Sequence, residues 1–199
     1  MIRRPPRSTH CISSAASDVY KRQGIGQGFI QTTPIQLCLM TAQIANGGYK
    51  IYPKIVANDD NQYADKFTPL YKKSRNIKIV QDAMFSSTNE VRGTSYRSRL
   101  DDPKYRFAGK TGTSQVKKIT ELDRELDLKT FQIPYEERDH ALYVAFGPYK
   151  SPRYALSIII EHGGSGGTVA APLAKELFKM IVDRHEIRKN YDNKKYLDI

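Results

Sequence analysis

The chain has 199 residues, of which 39% are apolar, and a net charge of +11. This length and composition allow one domain, or most of one, with an ordinary core. No run of about 18 apolar residues is present, so the sequence predicts no transmembrane helix. A basic charge of this size suits nucleic acid or an anionic surface, but a solvated basic exterior is the simpler interpretation.

The first 23 residues differ from the rest of the chain. They contribute +4 of the net charge, contain Pro-Pro and scattered serines, and show no sustained periodicity. No apolar segment of about 7–15 residues follows the arginines, so a signal peptide is not predicted. The segment resembles a translated adapter, and a disordered basic leader is the alternative. We expect a partial domain at residues 24–185 that natively begins upstream of Gly24, and a basic polar tail at 186–199.

Metal, disulfide and dinucleotide sites are not predicted. Cys11 and Cys38 lie near neither each other nor a histidine at ligand spacing. The glycines of GIGQG, residues 24–28, follow no strand, which makes a dinucleotide loop a weak interpretation. We therefore expect no metal and no cofactor.

Local signals predict a first helix at residues 34–46. Thr33 is a favourable N-cap, Pro34 suits the first helical position, and Gln36 completes a capping box. Gly47 and the glycine after it end the helix.

Periodicity predicts the remaining elements. They are an extended segment or edge strand at 49–56, a helix at about 74–91, strands within 104–116, 141–147 and 154–161, and an amphipathic helix at 168–184 with Thr168 as a possible cap. Residues 148–153 form a predicted hairpin loop, and the charged insert 117–139 has helical traits. HGGSGG, residues 162–167, is expected to let the last helix fold back over the sheet. The order predicts an α+β fold in which helices pack on an antiparallel sheet.

The stretch FAGKTGTSQV places a lysine between small and hydroxyl residues. On a strand, Lys110 and Gly112 share one face, whereas Thr111 and Thr113 share the other. Such a glycine admits a ligand, the lysine supplies a cation, and an edge N–H can form half of an oxyanion hole. The pattern suits acyl transfer on a substrate with a carboxylate, although a chance turn is the alternative.

K-T-G is one motif of the set found in penicillin-binding proteins and class A β-lactamases. From about Gly24 to about Asp183, the chain resembles the C-terminal part of the transpeptidase domain of the elongation-type penicillin-binding protein 2 family. Four blocks carry the resemblance: GIGQGFIQTTPIQL, EVRGTSYRS, FAGKTGTSQV and ERDHALYVAFGPYKSPRYALSIIIEHGGSGGTVAAPLAKELF.

The resemblance implies roles for the residues of the third block. Lys110 would be the catalytic lysine that supports proton transfer. Thr111 and Thr113 would bind the carboxylate of a stem peptide or a β-lactam, and Gly112 would leave room for it. The backbone N–H of Thr113 would be an oxyanion donor, and Ser114 would flank the bound substrate.

The family reaction is D,D-transpeptidation. A serine attacks the D-Ala-D-Ala bond of a peptidoglycan stem peptide, and an amine of a neighbouring stem takes the acyl group. The resemblance also implies a membrane glycan polymerase of the rod complex as partner and a place on the periplasmic face of the bacterial inner membrane, through an anchor that we expect to be missing here. It implies no nucleic acid.

The nucleophile motif S-x-x-K is matched only at Ser114–Lys117. On a helix this spacing brings the two side chains together, but on a strand they face opposite sides, so we interpret the match as accidental. Ser87–Asn89 matches S-x-N but lies in the predicted second helix, and we interpret it as chance. We therefore expect the nucleophile to lie outside this chain and the chain alone to be inactive.

Two rival functions remain. A serine β-lactamase or β-lactam sensor shares K-T-G, but the insert 117–139 and the HGGSGG loop disfavour it. A basic binding module without catalysis is the other rival, although no interleaving of aromatic and basic residues suggests a nucleic-acid platform. His140 and His162 are expected to have surface or loop roles.

Overall fold

The computed structural model describes residues 31–53, 55, 68–71, 74–116 and 128–195. The regular elements within them belong to one compact unit that begins at Thr33. They are α1 (Pro34–Ala45), α2 (Ser74–Asn89), β1 (Ala108–Ser114), β2 (His140–Gly147), β3 (Tyr154–Ile160) and α3 (Ala171–Lys195). None of the helices described is both long and apolar enough to span a membrane.

Helix α1 begins and ends where the local signals predict. The N–H of Thr33 donates to Oε1 of Gln36 at 2.8 Å, and the Gln36 N–H donates back to Oγ1 of Thr33 at 3.4 Å, which completes the capping box. After Asn46, Gly47 and Gly48 have φ angles of 92° and 91°, which an L side chain rarely adopts. The prediction of this helix is confirmed.

The three strands form one antiparallel sheet in the order β1–β2–β3. Helix α3 covers the face that carries Tyr143, where the rings of Phe107 and Phe178 stack at 4.9 Å. Helices α1 and α2 contribute to a second cluster, around Met84 and Phe146, on the opposite face. Helices on both faces of an antiparallel sheet confirm the predicted α+β class.

Three details differ from the sequence-based expectations. Tyr49 forms an isolated bridge with Pro69 and Ile55 lies in a bend, so the edge strand predicted at 49–56 does not form in its described part. Thr168 does not cap the last helix, because its hydroxyl donates to the Ser165 carbonyl at 3.3 Å inside a π-helical turn at Gly166–Ala170. Helix α3 then continues to Lys195, beyond its predicted end at residue 184.

The predicted helical part of the charged insert lies largely outside the described residues. The described end of the insert, from residue 128, contains two short 3-10 turns, at Thr130–Gln132 and Tyr135–Glu137. The predicted hairpin loop at 148–153 does join β2 to β3.

Tyr143 holds β1 against α2 from inside the core. Its side chain crosses beneath Gly109, where an added Cβ would lie 2.3 Å from the Tyr143 hydroxyl. The hydroxyl is 3.0 Å from both Thr88 Oγ1 and Ser95 Oγ, and all three side chains are buried. The Gly109 N–H donates to Thr88 Oγ1 at 3.0 Å, and Ser95 Oγ donates to the Ser87 carbonyl at 3.0 Å. One direction of donation, from Thr88 through Tyr143 to Ser95, therefore satisfies every hydroxyl.

We expect Tyr143→Phe to lower the free energy of unfolding by about 1–3 kcal/mol, because Thr88 and Ser95 lose their shared partner inside the core. Urea unfolding of the two proteins measures the difference. Ser157→Ala is the matched control, since the buried Ser157 hydroxyl has no hydrogen-bond partner among the described residues. Removing that hydroxyl should be neutral or slightly stabilising, and an equal loss in both variants would contradict the network.

Burial raises the pKa of the Tyr143 hydroxyl, and its hydrogen bonds to Ser95 and Thr88 offset only part of that effect. The folded protein thus holds this proton more tightly than the unfolded chain, where tyrosine has a pKa of about 10. The stabilisation is complete below that pH and is lost as the pH rises toward the folded-state value. We expect the stability difference between the parent and Tyr143→Phe to shrink above about pH 10. Urea unfolding across that range tests this, and a constant difference would refute it.

Candidate active site

The predicted site residues all lie on β1. Lys110, Thr113 and Ser114 are exposed, whereas Thr111 and Gly112 are half-buried. The register places Lys110 opposite Val144 and Thr111 opposite Tyr143, so the predicted division between the two faces of the strand is confirmed. The roles assigned to these residues stay predictions.

The outer edge of β1, the edge that does not pair with β2, has two halves. The backbone of residues 107–109 is hydrogen-bonded to α2 and forms the sealed half, and residues 111–113 form the open half. The Phe107 carbonyl accepts from the Asn89 amide at 2.9 Å, and the Gly109 N–H donates to Thr88, so these backbone groups point away from β2. Backbone groups alternate along an antiparallel strand, and those of Thr111 and Thr113 therefore point to the same outer edge. No described residue accepts a hydrogen bond from either of these two N–H groups.

Lys110 lies along this open half. Its Nζ donates to the Thr111 carbonyl at 2.8 Å and to Thr111 Oγ1 at 3.2 Å. No carboxylate of a described residue lies within salt-bridge distance of it. The ammonium is therefore available to an anionic ligand beside the outward N–H groups.

The two glycines of the A-G-K-T-G stretch differ in how strongly packing requires them. A side chain at Gly109 would collide with Tyr143, so that position must be glycine for the core to form. A Cβ at Gly112 would meet only the Cβ of Leu142, at 3.3 Å, which is tight but not prohibitive. Packing thus explains Gly109 fully and Gly112 only in part, and close approach of a ligand would explain the rest.

The glycine-rich loop 162–167 packs behind the site instead of acting only as a connection. A Cβ at Gly166 would lie 2.3 Å from the Leu142 carbonyl and 2.7 Å from the Gly112 carbonyl, so the loop lies directly on the sheet backbone. A larger residue there would push on the strand segment that carries Gly112.

Two histidines hold this loop, and sequence reasoning missed their partnership. The His162 N–H donates to Nδ1 of His140 at 2.9 Å, and the Gly164 N–H donates to the Asp139 carbonyl at 2.7 Å. The two imidazole rings are 4.8 Å apart, and His162 Nδ1 is 3.1 Å from the Arg138 carbonyl. No sequence pattern marks this contact. In the structure His162, which follows β3, has φ 54°, a conformation that non-glycine residues rarely adopt.

The structure also bears on the two accidental motif matches. Ser114 is the last residue of β1, as the strand interpretation expects, and Lys117 lies outside the described residues. Ser87 to Asn89 lie at the end of α2, where Thr88 and Asn89 bind the β1 edge. This string therefore has a structural use in the fold.

Two cavities lined by described residues, of about 160 and 320 Å³, adjoin Tyr154 and His185 beside α3. Tyr154 pairs with Gly147 at the end of the sheet opposite Ser114. These two cavities are therefore separate from the Lys110 edge.

Comparison with known proteins decides the family. Residues 13–179 match the penicillin binding protein transpeptidase domain. The chain belongs to this family. The matched range begins within the first 23 residues, so the boundary proposed at Gly24 stays a prediction.

Similar proteins indicate which branch of the family this chain resembles. Peptidoglycan D,D-transpeptidase MrdA of Salmonella typhimurium is 34% identical over 174 residues, which cover 80% of this chain and 26% of that protein. Penicillin-binding protein 2 of Pseudomonas aeruginosa, solved in complex with WCK 5153, is 34% identical with a TM-score of 0.61, over 80% of this chain and 32% of that one. The Helicobacter pylori protein, solved in complex with MreC, is 27% identical with a TM-score of 0.64, over 81% and 27% of the two chains.

These comparisons confirm the resemblance to penicillin-binding protein 2 that the sequence motifs indicated. The chain spans about a quarter of the length of the curated relatives it matches.

We expect His140→Leu to loosen the loop at residues 162–167, because leucine cannot accept the His162 N–H. Loss of one net hydrogen bond, about 1 kcal/mol, should make the amides of His162 and Gly164 exchange about fivefold faster with solvent deuterium. His140→Asn is the control, since its amide oxygen can take the place of Nδ1. Equal acceleration in both variants would show that the hydrogen bond does not hold the loop.

Proposed function

We propose that this chain supplies one wall of the active site of a serine-type peptidoglycan D,D-transpeptidase. The open half of β1 binds the donor stem peptide through its terminal carboxylate, which the Lys110 ammonium and the hydroxyls of Thr111 and Thr113 receive. Ser114 flanks the bound substrate. The same edge binds β-lactams, which present a carboxylate at a similar distance from the reactive carbonyl.

The observation that carries this proposal is the direction of the backbone groups at residues 111 and 113. Their N–H groups point outward beside a lysine that forms no salt bridge with a described carboxylate, in a chain whose family and relatives are transpeptidases. A fixed N–H donor at the position of the developing oxyanion lowers the barrier to acyl transfer by about 2.7–4 kcal/mol. We assign that role to the N–H of Thr113.

The reaction needs a nucleophilic serine, and none of the residues on β1 is assigned that role. The serine oxygen attacks the carbonyl of the D-Ala-D-Ala bond and gives up its proton, the tetrahedral oxyanion collapses, and D-alanine leaves as its amine takes a proton. An amine from a neighbouring stem then attacks the acyl-serine, loses a proton to the serine oxygen, and so releases the free enzyme. We place this serine and the S-x-N motif on polypeptide outside residues 24–185, which hold the partial domain.

The setting of the reaction follows from the same assignment. The complete protein works at the periplasmic face of the inner membrane, beside a membrane glycan polymerase of the rod complex. The relative from Helicobacter pylori, solved with MreC, supports an assembly with other proteins.

A fluorescent penicillin tests whether the nucleophilic serine lies outside the 199-residue chain. The 199-residue chain alone should form no covalent adduct on a denaturing gel, whereas the complete gene product that carries it should be labelled. In that complete protein, Lys110→Ala should slow labelling on the order of 100-fold, because the cation that receives the penicillin carboxylate beside the reacting carbonyl is lost.

Lys150→Ala is the matched control. Lys150 is also exposed, but it lies in the loop between β2 and β3 at the other end of the sheet. The Lys150→Ala protein should be labelled at the same rate as the parent protein. A labelled band from the 199-residue chain, or full labelling of Lys110→Ala, would overturn the proposal.

A further inference from the structure

Three hydroxyl groups form a chain of hydrogen-bond contacts, called the line below, that starts at Lys110. Lys110 Nζ lies 3.2 Å from Thr111 Oγ1, which lies 3.2 Å from Thr94 Oγ1, which lies 3.2 Å from Ser87 Oγ. The line leads from β1, through the turn after α2, to the end of that helix. Thr94 belongs to the EVRGTSYRS block, to which the proposed function gives no part.

The direction of donation along this line is fixed at its first member. A lysine ammonium only donates, so Thr111 Oγ1 must accept from Lys110. A hydroxyl oxygen donates one hydrogen bond and accepts two, and either atom of the Thr94–Thr111 pair can be the donor. When Thr94 donates, Thr111 Oγ1 accepts from both Lys110 and Thr94, and its single proton is left to donate to an anion. Without the Thr94 hydroxyl, the Thr111 hydroxyl could rotate about χ1.

Close packing holds the backbone of Thr94 in place, both through its sequence neighbours and through Gly167. A Cβ at Gly93 would lie 2.2 Å from the Ser87 carbonyl, and the buried Ser95 binds that same carbonyl through both its N–H and its hydroxyl. On the other side, a Cβ at Gly167 would lie 2.8 Å from the Thr94 carbonyl. The Thr94 hydroxyl therefore projects toward Thr111 from a closely packed turn.

We infer that Thr94 is a positioning residue for the carboxylate site: its hydroxyl fixes the direction in which the Thr111 hydroxyl points. This inference rests on the proposed function, in which Thr111 receives the substrate carboxylate. Thr94 does not touch the substrate. It acts by keeping Thr111 in one rotamer, so that binding the carboxylate need not first order that side chain.

The test compares four substitutions in the complete gene product: Thr94→Val, Thr94→Ser, Ser86→Ala and Lys110→Ala. Valine keeps the shape of threonine without the hydroxyl, and serine keeps the hydroxyl. Ser86→Ala removes a neighbouring hydroxyl that bonds to Glu90 and lies outside the line. The rate of acylation is followed against penicillin concentration, which separates the apparent dissociation constant from the limiting rate.

Thr94→Val should raise the apparent dissociation constant for penicillin about five- to tenfold and leave the limiting acylation rate within about twofold, because one hydrogen bond to a binding group is lost. Thr94→Ser and Ser86→Ala should behave as the parent. In the 199-residue chain, three-bond couplings of Thr111 should report one χ1 rotamer in the parent and averaging in Thr94→Val.

The outcomes separate the inference from the proposed function. If Lys110→Ala fails to acylate but Thr94→Val binds penicillin as the parent does, Thr94 has no positioning role and the proposed function stands. If Thr94→Val and Thr94→Ser are impaired equally, the hydroxyl is not responsible and the inference is also wrong. Unimpaired Lys110→Ala would overturn both.

Discussion

The hydroxyl group of Tyr143 is the contact on which the rest of this structure depends. The side chain starts on β2, passes beneath β1 at Gly109, which lacks a Cβ, and reaches the hydroxyls of Thr88 and Ser95 beyond it. It therefore ties the sheet, α2 and the following turn together at a single buried point. Because the three buried hydroxyls are hydrogen-bonded to one another, a shift of one element relative to the others would break hydrogen bonds inside the core.

That buried arrangement reaches the surface through Ser87. The inner hydroxyl network ends at the Ser87 carbonyl, where Ser95 donates, and the outer line from Lys110 ends at the Ser87 hydroxyl. The same residue at the end of α2 thus takes part in both. The positions of the exposed Thr94 and the half-buried Thr111 follow from a core contact that neither of them makes, and this is how a strand edge acquires a fixed geometry.

Local signals predicted what local physics decides. The capping box at Thr33 and the glycines after Asn46 define α1 within one residue, because every group involved lies within the same few turns of chain. The strands and the placement of the Lys110 motif on β1 were also predictable from periodicity and the motif. The packing roles of individual residues could not be predicted in this way. Gly109 is required by a tyrosine 34 positions later, and no pattern near Gly109 reveals it.

The same limit explains the other differences. The bond from His162 to His140 joins residues at the ends of two strands, and only the sheet register brings them together. Helix α3 was predicted to end at residue 184 because the apolar pattern fades there, yet the helix continues to Lys195 through a charged sequence that contains neither glycine nor proline. Fading amphipathicity marks the end of burial, which need not be the end of a helix.

A structural explanation of Lys110 needs to be weighed against the catalytic one. A charged residue on an open strand edge protects it from pairing with another chain, and Lys110 could serve that purpose alone. Edge protection, however, gives no reason for Gly112 beside it, whose missing side chain leaves backbone accessible and makes the edge easier to approach. It also gives no reason to seal the Phe107–Gly109 half with Asn89 and Thr88 while leaving Thr111 and Thr113 with outward N–H groups. A lysine that guards an edge and a glycine that opens it work against each other, unless the group to be admitted is the anion that the lysine attracts.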